Sequence, residues 1–255
     1  MTVVALGSLR SCGVTTAALA LATSWPAGRR ALLVEVDHAG GTLAASLGLH
    51  PEPGLVSLAA ATRRPLEAST DPSVVIEHAQ ALAGYASVLV APPSAEQARQ
   101  TTALLEPLLG RLGALPMDVL LDCGRLDGAS PAASLFAAAA LPVLLIRAQL
   151  ADLHTAASSL DRLVGSERAV LVLTGNAAYP PSEVSTALDR EMLGTLPDDP
   201  VSATRIASTE RSRSRIARTP LLRSAASLAG LIAERLDQAS ALGVEEAVPS
   251  WDGHR

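Results

Sequence analysis

GSLRSCGVTT, residues 7–16, decides how this chain is read. It follows an apolar run, TVVAL (2–6), and leads into an Ala/Leu-rich helical stretch at 14–24. A turn between a strand and a helix gathers backbone N–H groups and the positive end of a helix dipole, and so favours an anion. Set against the phosphate-loop pattern G-x-x-x-x-G-K-[ST], Ser8 stands at the first glycine and Gly13 at the second. Val14 then takes the lysine position and Thr15 the metal-ligand hydroxyl. No distant lysine can stand in, because all 20 Lys+Arg residues are arginines.

The surrounding sequence fits such a loop. Apolar runs at 2–6, 31–36, 87–91, 118–122, 142–147 and 169–174, with a shorter one at 192–196, are rich in Val and Leu and apolar on both faces. Strands buried on both sides of a parallel sheet have this character. Helical patterns at 14–24, 94–111, 131–139, 151–164, 182–190 and 220–240 alternate with them. The alternation predicts an α/β fold with a doubly wound, mostly parallel sheet flanked by helices. The stretch 49–73 reads as proline-bounded short helices. One domain is expected over 1–241, with an acidic, flexible tail over 242–255.

At 255 residues and 49% hydrophobic the chain is long enough to bury a core without a disulfide or metal staple. Aromatics are only 2%, so that core must be Ala, Leu and Val. A net charge of −5 argues against a protein that coats nucleic acid over its whole surface. Cys12 and Cys123 do not make a secreted disulfide framework. They read as small apolar fillers, with a redox pair as the alternative. No apolar run approaches 18 residues and no basic segment precedes the first one, so a cytoplasmic protein with no integral membrane segment is expected. The histidines are scattered without metal-ligand spacing, and no Ser-His-Asp motif stands out.

Two strand ends carry acids. ALLVEVDHAGGTLAASLGL (31–49) ends its strand near Asp37, followed by Gly40-Gly41 and a short helix, and MDVLLDCG (117–124) ends in Asp122. A carboxylate at the C-terminal end of a strand, beside a phosphate loop, sits where a metal's water shell needs an oxygen. The plainer reading is a helix cap or loop carboxylate.

Together these segments resemble the MinD/ParA (SIMIBI-class) P-loop ATPases, whose loop has the form K-G-G-V-G-K-T-T. In that register Leu9 falls at the signature lysine, Arg10 and Ser11 at the glycines, Cys12 at the valine and Val14 at the Walker lysine, while Gly13, Thr15 and Thr16 match. The segment 34–49 resembles V-D-x-D-P-Q-G-G-x-x-x-x-x-L-G-L, which puts Asp37 at the acid implied in positioning the attacking water. Asp122 matches the Walker B aspartate, and LGTLPDDP (193–200) the late L-G-x-I-P-x-D segment near the base. The resemblance implies residues 10–16 as the nucleotide-binding loop, Thr15 and Asp122 as Mg²⁺ partners, and ATP with Mg²⁺ as cofactors, with no cofactor as the equal alternative. Lysine-free loops of this kind are similar to those of uncharacterised high-GC bacterial MinD-like proteins and of CpaE/TadZ-like relatives.

In the family the Walker lysine reaches the β and γ phosphates, and the signature lysine reaches a dimer partner's nucleotide. Val14 and Leu9 can do neither. The leading expectation is a non-hydrolysing pseudo-ATPase, a scaffold or positioning factor in chromosome partitioning, septum placement or pilus and secretion assembly. It would act with a protein partner, and a homodimer is compatible with it. The first alternative is an active ATPase helped by Arg10, which is otherwise a solvated loop arginine. The second is a nucleotide-independent DNA adaptor using Arg211, Arg213, Arg215 and Arg218, whose plainer reading is a solvated loop. MinD's basic, membrane-binding C-terminal helix has no counterpart in the acidic VEEAVPSWDGHR.

Overall fold

A computed structural model describes residues 3–62, 72–82, 86–127, 130–176, 178–207 and 218–246. Eight strands form one sheet: β1 (Val3–Ser8), β2 (Ala31–Glu35), β3 (Gln80–Ala81), β4 (Ala86–Leu89), β5 (Asp118–Arg125), β6 (Leu141–Arg147), β7 (Val170–Thr174) and β8 (Met192–Leu196). Their order is β3-β4-β2-β5-β1-β6-β7-β8. Every neighbouring pair is parallel except β3 with β4. The doubly wound sheet expected from the apolar runs is therefore present. The two-residue antiparallel edge strand was not expected, because Gln80 and Ala81 carry no apolar pattern of their own.

Eleven α-helices lie among the described residues: α1 (Val14–Thr23), α2 (Leu43–Leu47), α3 (Leu55–Thr62), α4 (Ser73–Glu77), α5 (Ala95–Ala103), α6 (Leu109–Gly113), α7 (Pro131–Ala138), α8 (Leu150–Ser159), α9 (Pro181–Leu188), α10 (Pro200–Ile206) and α11 (Pro220–Glu246). The single helix expected over 94–111 is broken: α5 stops at Ala103, and a 3₁₀ turn, Glu106–Leu108, intervenes before α6. Pro107 lies in that turn and lacks the N–H an α-helix interior needs. α11 runs to Glu246, past the boundary expected at 241. Residues 247–255 of the expected tail lie outside the described residues.

Alternation along the strands divides the core in two. Val3 and Ala5, Leu32 and Val34, Leu144 and Ile146 face one way, onto the helices that include α7 and α9. Val4 and Leu6, Leu33, Leu120, Val143 and Leu145 face the other way, onto α1 and α11. Cys123 belongs to the first layer and Cys12 to the second. Both thiols are free and buried on opposite faces of the sheet, which supports the filler reading and leaves no redox pair. α1 is buried along nearly its whole length because Ala at 17, 18, 20 and 22 lets it fit close between sheet and α11.

A polar knot pins the opposite end of the sheet from the loop. Asp118, buried at the start of β5, accepts from Arg29 Nε at 2.7 Å and Nη2 at 2.8 Å and from Trp25 Nε1 at 2.8 Å. Arg29 also reaches Asp237 on α11 at 2.7 Å. Removing the shared acceptor strands three donors, although Arg29 is partly exposed and regains some solvation. Asp118→Ala is expected to cost about 2 kcal/mol. Thermal unfolding should show a fall of a few degrees with ligand affinity unchanged.

Candidate functional site

The loop leaves β1 at the switch point of the sheet, where β5 lies on one side and β6 on the other. Gly13 caps α1 with φ +88°, a left-handed conformation that side chains disfavour, so the second glycine of the pattern is kept for a backbone reason. No side chain caps α1 and no acid lies in its first turn. Its opening N–H groups are thus left to an incoming anion.

Val14 is 5% exposed and packs into the α1 layer, so the lysine position is filled by core hydrocarbon. Leu9 packs against the opposite layer. Arg10 is exposed but committed: its Nε lies 3.1 Å from Asp152 and its Nη1 donates to Thr155 Oγ1 at 3.3 Å, both on α8. Ser11 is exposed, and Thr15 and Thr16 are half-buried.

Register brings the acids together. Leu6, Asp122 and Glu35 lie side by side on β1, β5 and β2. Asp122 is wholly buried. Its Oδ1 accepts from the Gly124 N–H at 3.2 Å, while its Oδ2 has no hydrogen-bond partner. Burial is the main cause that raises its pKa to about 7, with the Glu35 and Asp37 charges adding to it. The Thr15 hydroxyl, which faces it, and the Gly124 N–H pull the other way. Glu35, not singled out from the sequence, is buried and accepts from the N–H groups of Thr42 at 2.6 Å, Leu43 at 3.0 Å and Ala91 at 3.0 Å. Burial still raises its pKa, against those three bonds. It organises the turn after β2, where a Cβ on Gly41 would meet the Ala91 carbonyl and the Glu35 carboxylate.

Asp37 lies beside this pair, its carboxylate against the α-carbon of Gly124 and its Oδ1 accepting from Ala39 N–H at 2.8 Å. His38 Nδ1 is 3.1 Å from Ser130 Oγ, and its Nε2 is 3.8 Å from Asp127. This Ser-His-Asp grouping was not visible in the sequence. The Ser130 hydroxyl is buried and accepts from Ala132 N–H as the cap of α7, so it does not offer a nucleophile.

No group of three or more His, Cys, Asp or Glu among the described residues could hold a metal alone. Thr15 and Asp122 do fit Mg²⁺, which takes few protein ligands and completes its shell with water and phosphate. The buried, unpartnered Asp122 Oδ2 is the oxygen such a shell needs.

Beside the loop opens a cavity of about 530 Å³. Cys12, Gly13 and Thr16 form one wall, and Leu196–Pro200, between β8 and α10, form another. The segment LGTLPDDP thus faces the loop, as its resemblance implies. Asp199 caps α10 through Ser202, whose hydroxyl and N–H hold its carboxyl below the ordinary range. Arg147, Thr174 and Asn176 also line the cavity and were not singled out from the sequence. Each ends or follows an apolar strand, the one local signal available. Arg218 is exposed just before α11, while Arg211, Arg213 and Arg215 lie outside the described residues. No described helix is long and apolar enough to cross a membrane.

No family model matches the sequence, and no curated protein is similar to it in sequence. The fold has well-matched solved structures. A ParA family ATPase from Chlorobium tepidum superposes with a TM-score of 0.71 at 16% identity, over 89% of this chain and 98% of that one. The septum site-determining protein MinD from Pyrococcus horikoshii, solved with Mg-ADP, gives 0.62 at 15% identity over 96% and 99%. The MinC:MinD cell division complex from Aquifex aeolicus gives 0.63 at 13% identity over 98% of each chain. The chain has the fold of the MinD and ParA ATPases.

Proposed function

We propose that this chain is a pseudo-ATPase of the MinD/ParA type, which seats a nucleotide with Mg²⁺ but does not turn it over efficiently. It serves as a scaffold or positioning factor for a protein partner in chromosome partitioning, septum placement or pilus and secretion assembly. The observation that carries the reading is the buried, unpartnered Asp122 Oδ2 beside Thr15, at the foot of an uncapped helix N-terminus. Thr15 and Asp122 would hold Mg²⁺, which supplies charge neutralisation for the phosphates. Backbone N–H groups of residues 10–16 cradle those phosphates, and Leu196–Pro200 wall the nucleoside. Asp37 stands in the water-positioning place, beside a loop that has no lysine to stabilise the transferred charge. Two fold neighbours, one a MinD solved with Mg-ADP and the other a MinD solved with MinC, support a nucleotide and a protein partner. Cytoplasmic placement and pairing with a second copy belong to the same proposal.

The active-ATPase alternative has less support, since Arg10 is paired with Asp152 on α8. The DNA-adaptor alternative gains no support from the single described arginine of its segment, Arg218.

Isothermal titration with Mg·ADP tests the seat. Saturable binding near micromolar Kd is expected, weakened about tenfold or more when Mg²⁺ is chelated. No heat up to millimolar nucleotide would leave the fold without its ligand.

A further inference from the structure

We propose that Arg147, at the end of β6, supplies the positive charge that the loop lacks and binds a phosphate of the nucleotide from the cavity wall beside the loop. The inference rests on the nucleotide reading above and assigns a residue for which the loop pattern has no place. β6 runs parallel to β1 with Leu145 level with Ser8, so Arg147 emerges two residues further on, beside the loop. There it lines the same cavity as Cys12, Gly13 and Thr16. Burial raises the pKa of the Cys12 thiol, while the nearby Ser8 and Thr174 hydroxyls and the Arg147 charge lower it. The guanidinium field therefore reaches the residue before Gly13.

Three observations set Arg147 apart from a solvated strand end. First, the loop's own arginine is spent on Asp152, whereas Arg147 makes no ion pair among the described residues. Second, Arg147 is level with Thr174 on β7, which lines the same wall. Thr174 Oγ1 is buried and faces the Cys12 thiol, but has no hydrogen bond of ordinary geometry among the described residues, a polar group open to a ligand. Third, no nearby acid claims the guanidinium: Asp199 is occupied in capping Ser202, Asp152 holds Arg10, and neither of them nor Asp198 forms an ion pair with Arg147 among the described residues. An always-charged fork beside an orphaned hydroxyl and a helix N-terminus has the chemistry of a phosphate grip. It lies on the cavity side, away from Val14, so it binds without restoring the lysine's place in catalysis.

The test titrates Mg·ADP and inorganic pyrophosphate into the wild-type protein, Arg147→Ala and Arg147→Lys, with unliganded melting temperatures as a fold control. Arg147→Ala should weaken both ligands about tenfold or more, Arg147→Lys should keep most of the affinity, and the melting temperatures should stay together. Undiminished ADP binding by Arg147→Ala would overturn the assignment alone, as would a loss for ADP without a loss for pyrophosphate. Failure of the wild-type protein to bind either ligand would overturn the nucleotide seat, and this inference with it.

Discussion

Purified protein mixed with Mg·ATP is expected to release phosphate at least about 100-fold more slowly than a MinD/ParA-type loop bearing both lysines. Phosphoryl transfer asks little of a protein except position and charge at the transferred group. Here Val14 is core hydrocarbon, Leu9 packs into the opposite layer and Arg10 is tied to α8. Arg147 lines the cavity with Gly13 and Thr16, whereas Val14 does not. A coupled assay for inorganic phosphate reads the rate directly, and brisk Mg²⁺-dependent turnover would refute the pseudo-ATPase reading. Val14→Lys is the instructive companion. Val14 is 5% exposed, so a lysine there would bury its stem in the α1 layer and carry its amine out towards the loop. It should tighten Mg·ADP about tenfold while turnover stays slow, because Leu9 remains.

Asp122→Asn is expected to stabilise the unliganded protein while abolishing the Mg²⁺-dependent part of nucleotide binding. The carboxyl titrates at its ordinary 3.8 when unfolded and at about 7 when buried in the native chain. Below the lower value both states hold the proton and burial carries no charge penalty. Between the two values the unfolded chain releases its proton while the native chain keeps it, so stability falls as pH rises. Above about 7 both are ionised and the penalty is constant, at roughly 4 kcal/mol by the factor of about 1.4 kcal/mol per pH unit. An asparagine of the same shape does not titrate. The stability gained by the variant should therefore be near zero at pH 4 and reach its full size by pH 8. Glu35, raised in the same direction, leaves a weaker slope in both proteins. Thermal unfolding across that range checks it; a variant less stable than wild type at pH 8 would mean that the buried carboxylate is held by partners the geometry does not show. The native sequence thus keeps a destabilising acid at the one place where a metal would discharge it.

The fold was largely legible because strands buried on both faces write themselves as unbroken Val/Leu runs. β3 was not legible, since a Gln-Ala pair too short for any pattern becomes a strand only by pairing with Val88 and Ser87. The loop was legible through Gly13, and the acids through their place at strand ends. Arg147 and Glu35 were not, for different reasons. Arg147 joins the site only because β6 lies next to β1, a neighbour relation that no local pattern carries. Glu35 sits within a run that reads as plain strand, and its three backbone donors come from segments up to 56 residues away. The Asp118 knot is hidden likewise, joining residues 89 and 93 positions apart.

α11 begins at the cavity, where Leu221 forms part of the wall, and continues for 27 residues along α1 and β8. A rod of that length spans about 40 Å. Its root shares a boundary with the ligand while its tip lies far across the molecule. Leu222, Ala225, Leu228, Ala229, Ile232 and Leu236 bed it in the core, so the hollow is bordered on this side by a fastened beam rather than by a loose loop.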